Sequence, residues 1–107
     1  MLQAIFYRSK EETLTGFQIT GHAGYDEYGR DIVCAAVSAL ALNTANSLEA
    51  LTEDTFSGEM GESGSLKVMV EEPSSDAELL LQSLLLGLTS VQEEYGEKHM
   101  KIRFEEV

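Results

Sequence analysis

The sequence contains a single cysteine, a single proline and few basic residues. One cysteine cannot form an intrachain disulfide, and a lone thiol favours a reducing compartment such as the cytoplasm. The only proline, Pro73, lies between two patterned segments, and no linker rich in Pro, Gly and Ser divides the chain. We therefore expect one domain over residues 1–107, a length typical of a single compact domain.

Long apolar runs are also absent. No uninterrupted run reaches the roughly 18 residues that a membrane-spanning helix needs. The first eight residues lack the basic start and the apolar region of a signal peptide. These absences predict a cytoplasmic protein without a membrane partner. Apolar residues make up 43% of the chain, which is enough for a globular core.

Acidic residues strongly outnumber basic residues in this chain. Seven Lys and Arg face nineteen Asp and Glu, for a formal net charge of −12. A protein that binds the phosphate backbone of a nucleic acid needs a positive surface. We therefore expect no direct binding of nucleic acid. Residues 1–48 hold five acids and three bases, whereas residues 49–107 hold fourteen acids and four bases. The second half is expected to attract a basic partner, although such charge can also serve solubility alone.

Hydrophobic periodicity predicts five strands and two helices in the order ββαββαβ. The predicted strands cover residues 2–9, 14–21, 55–60, 66–71 and 98–107. The first helix should run from Asp31, its N-cap, to about Thr52. A second helix should open at Ser75, with Glu78 at the capping-box spacing, and stop at Gly96. This order predicts a two-layer α/β (α+β) sandwich, a mixed sheet with two main helices packed on it.

The first predicted helix is apolar on nearly every side. Between Ile32 and Leu42, Ser38 is the only polar residue. A helix of this kind is buried either within the fold or in a subunit interface, and the sequence leaves both open.

Three residues with useful chemistry lie close together at the start of this helix. With Asp31 as N-cap, Cys34 is the third helical residue and faces free N–H groups at the positive end of the helix dipole. That environment favours the thiolate, the nucleophilic form of cysteine, and the same N–H groups could stabilise an oxyanion. His22 lies at the other end of a glycine-containing loop and can exchange a proton near neutral pH.

Each of these residues also has an ordinary interpretation. A lone cysteine on an apolar helix is often a small buried hydrophobe. His22 can be a surface residue, and Asp31 can be a helix cap and nothing more. The residue pattern alone therefore leaves catalysis open.

The motif around these residues is more specific. Gly-His-Ala-Gly at residues 21–24 and Gly-Arg-Asp-Ile-Val-Cys-Ala-Ala-Val-Ser at residues 29–38 resemble the signature of the bacterial ribosomal-processing cysteine proteases, the Prp family. That signature is Gly-His-Ala, a short loop containing Gly, Asp-Ile-Val-Cys-Ala, and a Ser four residues after the cysteine. Gly-His-Ala alone would be a weak match, but the combination is specific.

The resemblance implies a function and a mechanism. Cys34 would be the nucleophile and His22 its general base. The family removes a short N-terminal extension from the large-subunit ribosomal protein numbered twenty-seven, so the substrate would be a basic ribosomal protein. The family fold is an α/β sandwich that pairs as a homodimer. We expect no cofactor, and a zinc site is poorly supported because His22, His99 and Cys34 lack the paired spacing of such sites.

The roles of the surrounding residues stay open at this point. Asp31 would either orient His22, as the acid does in a Ser-His-Asp triad, or only cap the helix. Ser38 lies one turn after Cys34 and would either bond within the site or bond back to its own helix. Three loop residues are expected to line the site: Gly21, Tyr25 and Tyr28. The two tyrosines would form a lid over it.

Two non-proteolytic functions compete with the protease. An acidic binding module or assembly factor could hold a basic ribosomal protein without cleaving it. A redox-sensing thiol would react quickly but would not cut peptides. Fast alkylation of Cys34 near neutral pH separates a catalytic thiol from the binding module, and peptide cleavage separates it from the sensor.

Overall fold

The structure is a computed structural model that describes residues 1–22, 24–27, 30–61 and 64–107. Its elements follow the predicted order ββαββαβ. The strands are β1 (Leu2–Arg8), β2 (Leu14–Thr20), β3 (Phe56–Met60), β4 (Leu66–Val70) and β5 (Met100–Glu106), and the helices are α1 (Ile32–Leu51) and α2 (Ser75–Tyr95).

The five strands form one mixed sheet in the order β3-β4-β2-β1-β5. β1 pairs antiparallel with β2 and parallel with β5, while β4 pairs antiparallel with both β2 and β3. A parallel pair needs a long crossover, and the chain between β1 and β5 supplies it. The predicted two-layer sandwich with a mixed sheet is confirmed.

The core lies between the sheet and the two helices. Phe6 and Phe17 are opposite each other on β1 and β2, are fully buried, and hold their ring centroids 6.4 Å apart. The helices bury one stripe each against this layer, formed in α1 by Val33, Val37, Ala41, Thr44 and Leu48, and in α2 by Ala77, Leu81, Leu84 and Leu88.

The start of α2 differs from the predicted capping box. Ser74, not Ser75, is the N-cap, and its Oγ accepts a hydrogen bond from the Ala77 N–H at 3.1 Å. Glu78 instead accepts from the Leu14 N–H at 3.3 Å and so ties α2 to β2. The capping-box prediction was wrong because this glutamate bonds across the two layers rather than within its own helix.

The outer side of α1 is exposed in the single chain. Ile32 is 51% exposed and Leu42 is 43% exposed, although the helix is apolar on most sides. By length and composition alone α1 could also cross a bilayer. Its stripe of buried side chains packs on the sheet, which is the arrangement of a core helix.

Asp31 caps α1 as predicted and also holds the preceding loop. One carboxylate oxygen, Oδ1, accepts from the Val33 and Cys34 N–H groups, each at 3.0 Å. The other, Oδ2, accepts from the Tyr25 N–H at 3.0 Å. Burial alone would raise the pKa of Asp31, but hydrogen bonds from Cys34, Tyr25 and Asp26 outweigh it and hold that pKa below its ordinary value of 3.8. The carboxylate is therefore charged at neutral pH.

This lowered pKa predicts a measurable effect on acid stability. A carboxylate with a lower pKa in the folded state contributes stability that is complete above 3.8 and is lost as the pH falls through the folded value. We expect Asp31→Asn, which can still cap, to flatten the fall in the free energy of unfolding between about pH 5 and pH 2. Urea unfolding at several pH values measures that slope.

Two further variants complete the experiment. Asp31→Ala should also lose about 1 kcal/mol at neutral pH because the cap itself is removed. Glu53→Gln, which neutralises an exposed acid just beyond α1, should keep the wild-type slope. Equal slopes for the wild type and Asp31→Asn would contradict the lowered pKa of Asp31.

Candidate active site

The geometry of the chain around Gly21 sets where the loop that carries His22 begins. β2 ends at Thr20, and Gly21 then adopts a φ of +83°. A side chain at this position would collide with the Met1 carbonyl oxygen, so both the backbone angle and the space require glycine. The chain turns here, and His22 follows as an exposed residue at the start of the loop.

Cys34 is the third residue of α1 and is half-buried. Its N–H group donates to Asp31, and its thiol also donates to the same carboxylate. The helix cap therefore contacts the candidate nucleophile directly.

One cavity of about 420 Å³ brings most of the predicted site residues together. It is lined by His22, Gly24, Asp26, Asp31, Cys34, Ala35 and Ser38. His22 and Cys34, which are twelve positions apart in sequence, thus face one space, and Asp31 and Ser38 share it.

Two smaller cavities extend this space into a groove. A cavity of about 180 Å³ shares His22, Cys34 and Ser38 with the main cavity and is also lined by Gly21. A third, of about 170 Å³, shares Ser38 and continues between α1 and the ends of three strands, where Leu42 and Met60 make it apolar. A groove that passes over a thiol can hold an extended peptide.

The two predicted lid tyrosines have different outcomes. Tyr25 is 43% exposed, and its ring lies against Tyr95 and His99 rather than in the main cavity, which its neighbours Gly24 and Asp26 line. Tyr28 lies outside the described residues, so its place in a lid stays a prediction.

Sequence reasoning did not assign three residues of the main cavity to the site: Gly24, Asp26 and Ala35. Ala35 follows Cys34 on α1 and lies three positions before Ser38, so helical geometry could have found it. Asp26 lies in a loop without periodicity, where no local signal indicates which side chains point inward.

Three backbone donors at the start of α1 already have acceptors within the chain. The Val33 and Cys34 N–H groups donate to the Asp31 side chain, and the Ala35 N–H donates to the Asp31 carbonyl at 3.0 Å. The Val33 and Cys34 groups therefore already donate to the helix cap, and the binding of an oxyanion at this helix start stays a prediction. Within the described part of the chain, no group of three or more His, Cys, Asp and Glu is placed to hold a metal ion.

Known sequences match this chain over most of its length. The family model described as Cysteine protease Prp matches residues 1–100. A Bacillus subtilis protein, Ribosomal processing cysteine protease Prp, is 29% identical over 101 residues, which cover 89% of this chain and 90% of the relative. A Staphylococcus aureus protein of the same name is 34% identical over 89 residues, covering 81% and 84%.

Solved structures agree with the sequence comparison. The essential ribosomal processing protease Prp from S. aureus, in complex with a covalently linked product peptide, superimposes with a TM-score of 0.91 at 27% identity and covers 98% of this chain and 100% of its own. A Streptococcus mutans protein gives a TM-score of 0.83 at 36% identity, covering 100% and 96%. The chain belongs to the cysteine protease Prp family.

Proposed function

We propose that Cys34 is the nucleophile of this protease and that His22 is its general base. The observation that carries the proposal is the shared lining of two adjoining cavities by His22 and Cys34 in a member of a cysteine protease family. Cys34 Sγ attacks the scissile carbonyl carbon while His22 takes the thiol proton. His22 then gives that proton to the leaving amine, and water hydrolyses the acyl-enzyme.

The charge on Asp31 supports a role for His22. The Cys34 thiol donates to this carboxylate, and a neighbouring anion opposes formation of a thiolate. The proton must therefore pass to a group that becomes positive and balances both anions. His22 lines the same cavity as both residues and is the base that we propose for this step. In this proposal Asp31 caps α1 and lies in the same cavity as the base.

The substrate that we propose is a basic ribosomal protein. The B. subtilis and S. aureus relatives are named ribosomal processing proteases. We infer that this chain removes the short N-terminal extension of the large-subunit ribosomal protein numbered twenty-seven. The net charge of −12 favours encounter with such a protein. Four exposed acids of the second half are candidates to dock its basic body: Glu71, Glu72, Glu93 and Glu94.

Peptide cleavage tests the function and both catalytic roles. A peptide spanning the extension and the first mature residues is incubated with wild type, Cys34→Ala and His22→Ala, and the products are identified by mass spectrometry. We expect wild type to cut one bond and Cys34→Ala to cut none. His22→Ala should be slower by about 10² to 10⁴, the usual contribution of a general base, and should react more slowly with iodoacetamide near neutral pH.

Ser83→Ala, on the exposed side of α2, is the matched control and should cleave like wild type. Cleavage by Cys34→Ala at the wild-type rate would refute the assignment of Cys34 as the nucleophile. A peptide left intact by the folded wild type would favour the non-catalytic binding module instead.

We further propose that the chain forms a homodimer through the outer side of α1. This side combines exposed Ile32 with the exposed small residues Ala35 and Ala39. A helix that is apolar all round needs cover on every side, and the chain itself covers the sides that face the sheet and α2. A second copy presents the same apolar surface, so a two-fold contact covers both at once. We place this dimer in the cytoplasm, where a catalytic thiol stays reduced.

The dimer proposal predicts a change in oligomeric state. Ala39→Glu puts a charge in the centre of the contact and should yield monomers, because a buried unpaired charge is costly. Ser83→Glu adds the same charge on the exposed side of α2 and should leave the dimer intact. Sedimentation equilibrium at micromolar concentration measures both masses. A monomeric wild type, or an Ala39→Glu variant that remains a dimer, would contradict the proposed contact.

A further inference from the structure

The loop that carries His22 is described at residues 22, 24–27 and 30. It follows β2, contains three glycines and has no helix or strand among its described residues. Two of its hydrogen bonds are local: the Glu27 N–H donates to Asp26 Oδ1 at 2.7 Å, and the Arg30 N–H donates to the Glu27 carbonyl at 2.9 Å. Bonds of this kind shape a loop but do not attach it to the rest of the fold.

Tyr25 makes contacts that do attach the loop. Its N–H donates to Asp31, which ties it to the start of α1. Its ring meets Tyr95 edge to face, with centroids 5.2 Å apart and planes at 79°, and meets His99 in the same way at 5.1 Å and 73°. Edge-to-face pairs at this distance are attractive beyond the area that they bury.

The two rings that receive Tyr25 are themselves well fixed. Tyr95 is the last residue of α2 and packs against the hydrophobic core. The His99 N–H donates to the Gly96 carbonyl at 3.2 Å, and the His99 carbonyl accepts from the Leu2 N–H at 3.1 Å. The receiving surface is thus bonded to both α2 and β1, and it lies outside the motif that identifies the family.

We infer that Tyr25, Tyr95 and His99 form an aromatic clasp that positions His22 beside Cys34, so that Tyr95 and His99 are positioning residues for the reaction. The inference rests on the proposed role of His22 as general base. His22 lies three residues before Tyr25, so the clasp limits how far its backbone can move. Cys34 lies in α1 and Asp31 is the N-cap of this helix, so both keep their places without the clasp.

The clasp has a specific kinetic consequence. A general base must lie within hydrogen-bond reach of the proton that it takes, and small displacements lower the rate steeply. Loss of the rings should therefore lower kcat more than it changes KM. It should also slow alkylation of Cys34 near neutral pH and shift the pH profile of that reaction toward the profile of His22→Ala. A residue that only stabilises the fold would move neither.

Substitutions at Tyr95 test this inference. Tyr95→Leu keeps apolar bulk against the core but removes the ring, whereas Tyr95→Phe keeps the ring. We expect Tyr95→Leu to lower kcat about tenfold, which corresponds to about 1.4 kcal/mol, with KM within about twofold of wild type. Tyr95→Phe should restore kcat to within about twofold of wild type. Peptide cleavage kinetics, iodoacetamide alkylation against pH and thermal unfolding are measured on each variant.

Phe104→Leu is the matched control, since it removes a 40% exposed ring that contacts Phe6 and Arg8. It should leave kcat and the alkylation profile unchanged. His99→Leu removes the second ring at a half-buried position and decides the question if Tyr95→Leu does not fold.

Wild-type kcat and an unchanged alkylation profile in a folded ring-deletion variant would overturn the clasp. A faster rate would also overturn it, because the rings would then restrain His22 away from Cys34. Neither result affects the proposed function, which fails if Cys34→Ala or His22→Ala retains wild-type activity, or if the folded wild type leaves the peptide intact.

Discussion

The carboxylate of Asp31 is the interaction on which the site depends. It is nearly buried, and a buried charge is tolerable only when hydrogen bonds satisfy it. Val33, Cys34 and Tyr25 each provide a backbone N–H group, two from the helix and one from the loop. These bonds begin α1 at a defined residue, which sets the place of Cys34, and they hold the loop beside it. One side chain thereby joins the two segments that supply the candidate nucleophile and the candidate base.

The same carboxylate changes the electrostatics expected from a cysteine at the start of a helix. An uncapped helix start offers positive potential and free donors, both of which favour a thiolate. Here Asp31 occupies those donors and adds a negative charge next to Cys34. A helix dipole alone therefore does not account for an activated thiol. In the mechanism that we propose, His22, which lines the same cavity, takes the proton of Cys34. The way in which the helix is capped thus limits what the helix start contributes to the site.

The sequence predicted the parts of this arrangement that arise from local structure. Capping is decided within four residues, so Asp31 and the position of Cys34 could be read from the chain, and periodicity recovered the element order. Two of the contacts that the sequence did not predict join distant segments. Glu78 was expected to cap its own helix, but it bonds to Leu14, which is 64 positions away. The contact of Tyr25 with Tyr95 brings together residues 70 positions apart, and no pattern in either segment indicates it. Only the family motif connected His22 with Cys34.

α1 is apolar on most sides because its successive residues face several different surroundings. Successive residues are about 100° apart around a helix, so neighbours in sequence face different surroundings. Val33 and Val37 point into the core, whereas Cys34 and Ser38, one position later, line the groove. Ala39 lies on the exposed side that we assign to a second copy. An ordinary amphipathic helix can leave its outer side polar because it packs on one layer only. α1 packs on the sheet and on α2 and borders the groove, and in the dimer that we propose its remaining side covers a second copy. No side of its first three turns is then left for polar residues, which accounts for a hydropathy high enough for a membrane span.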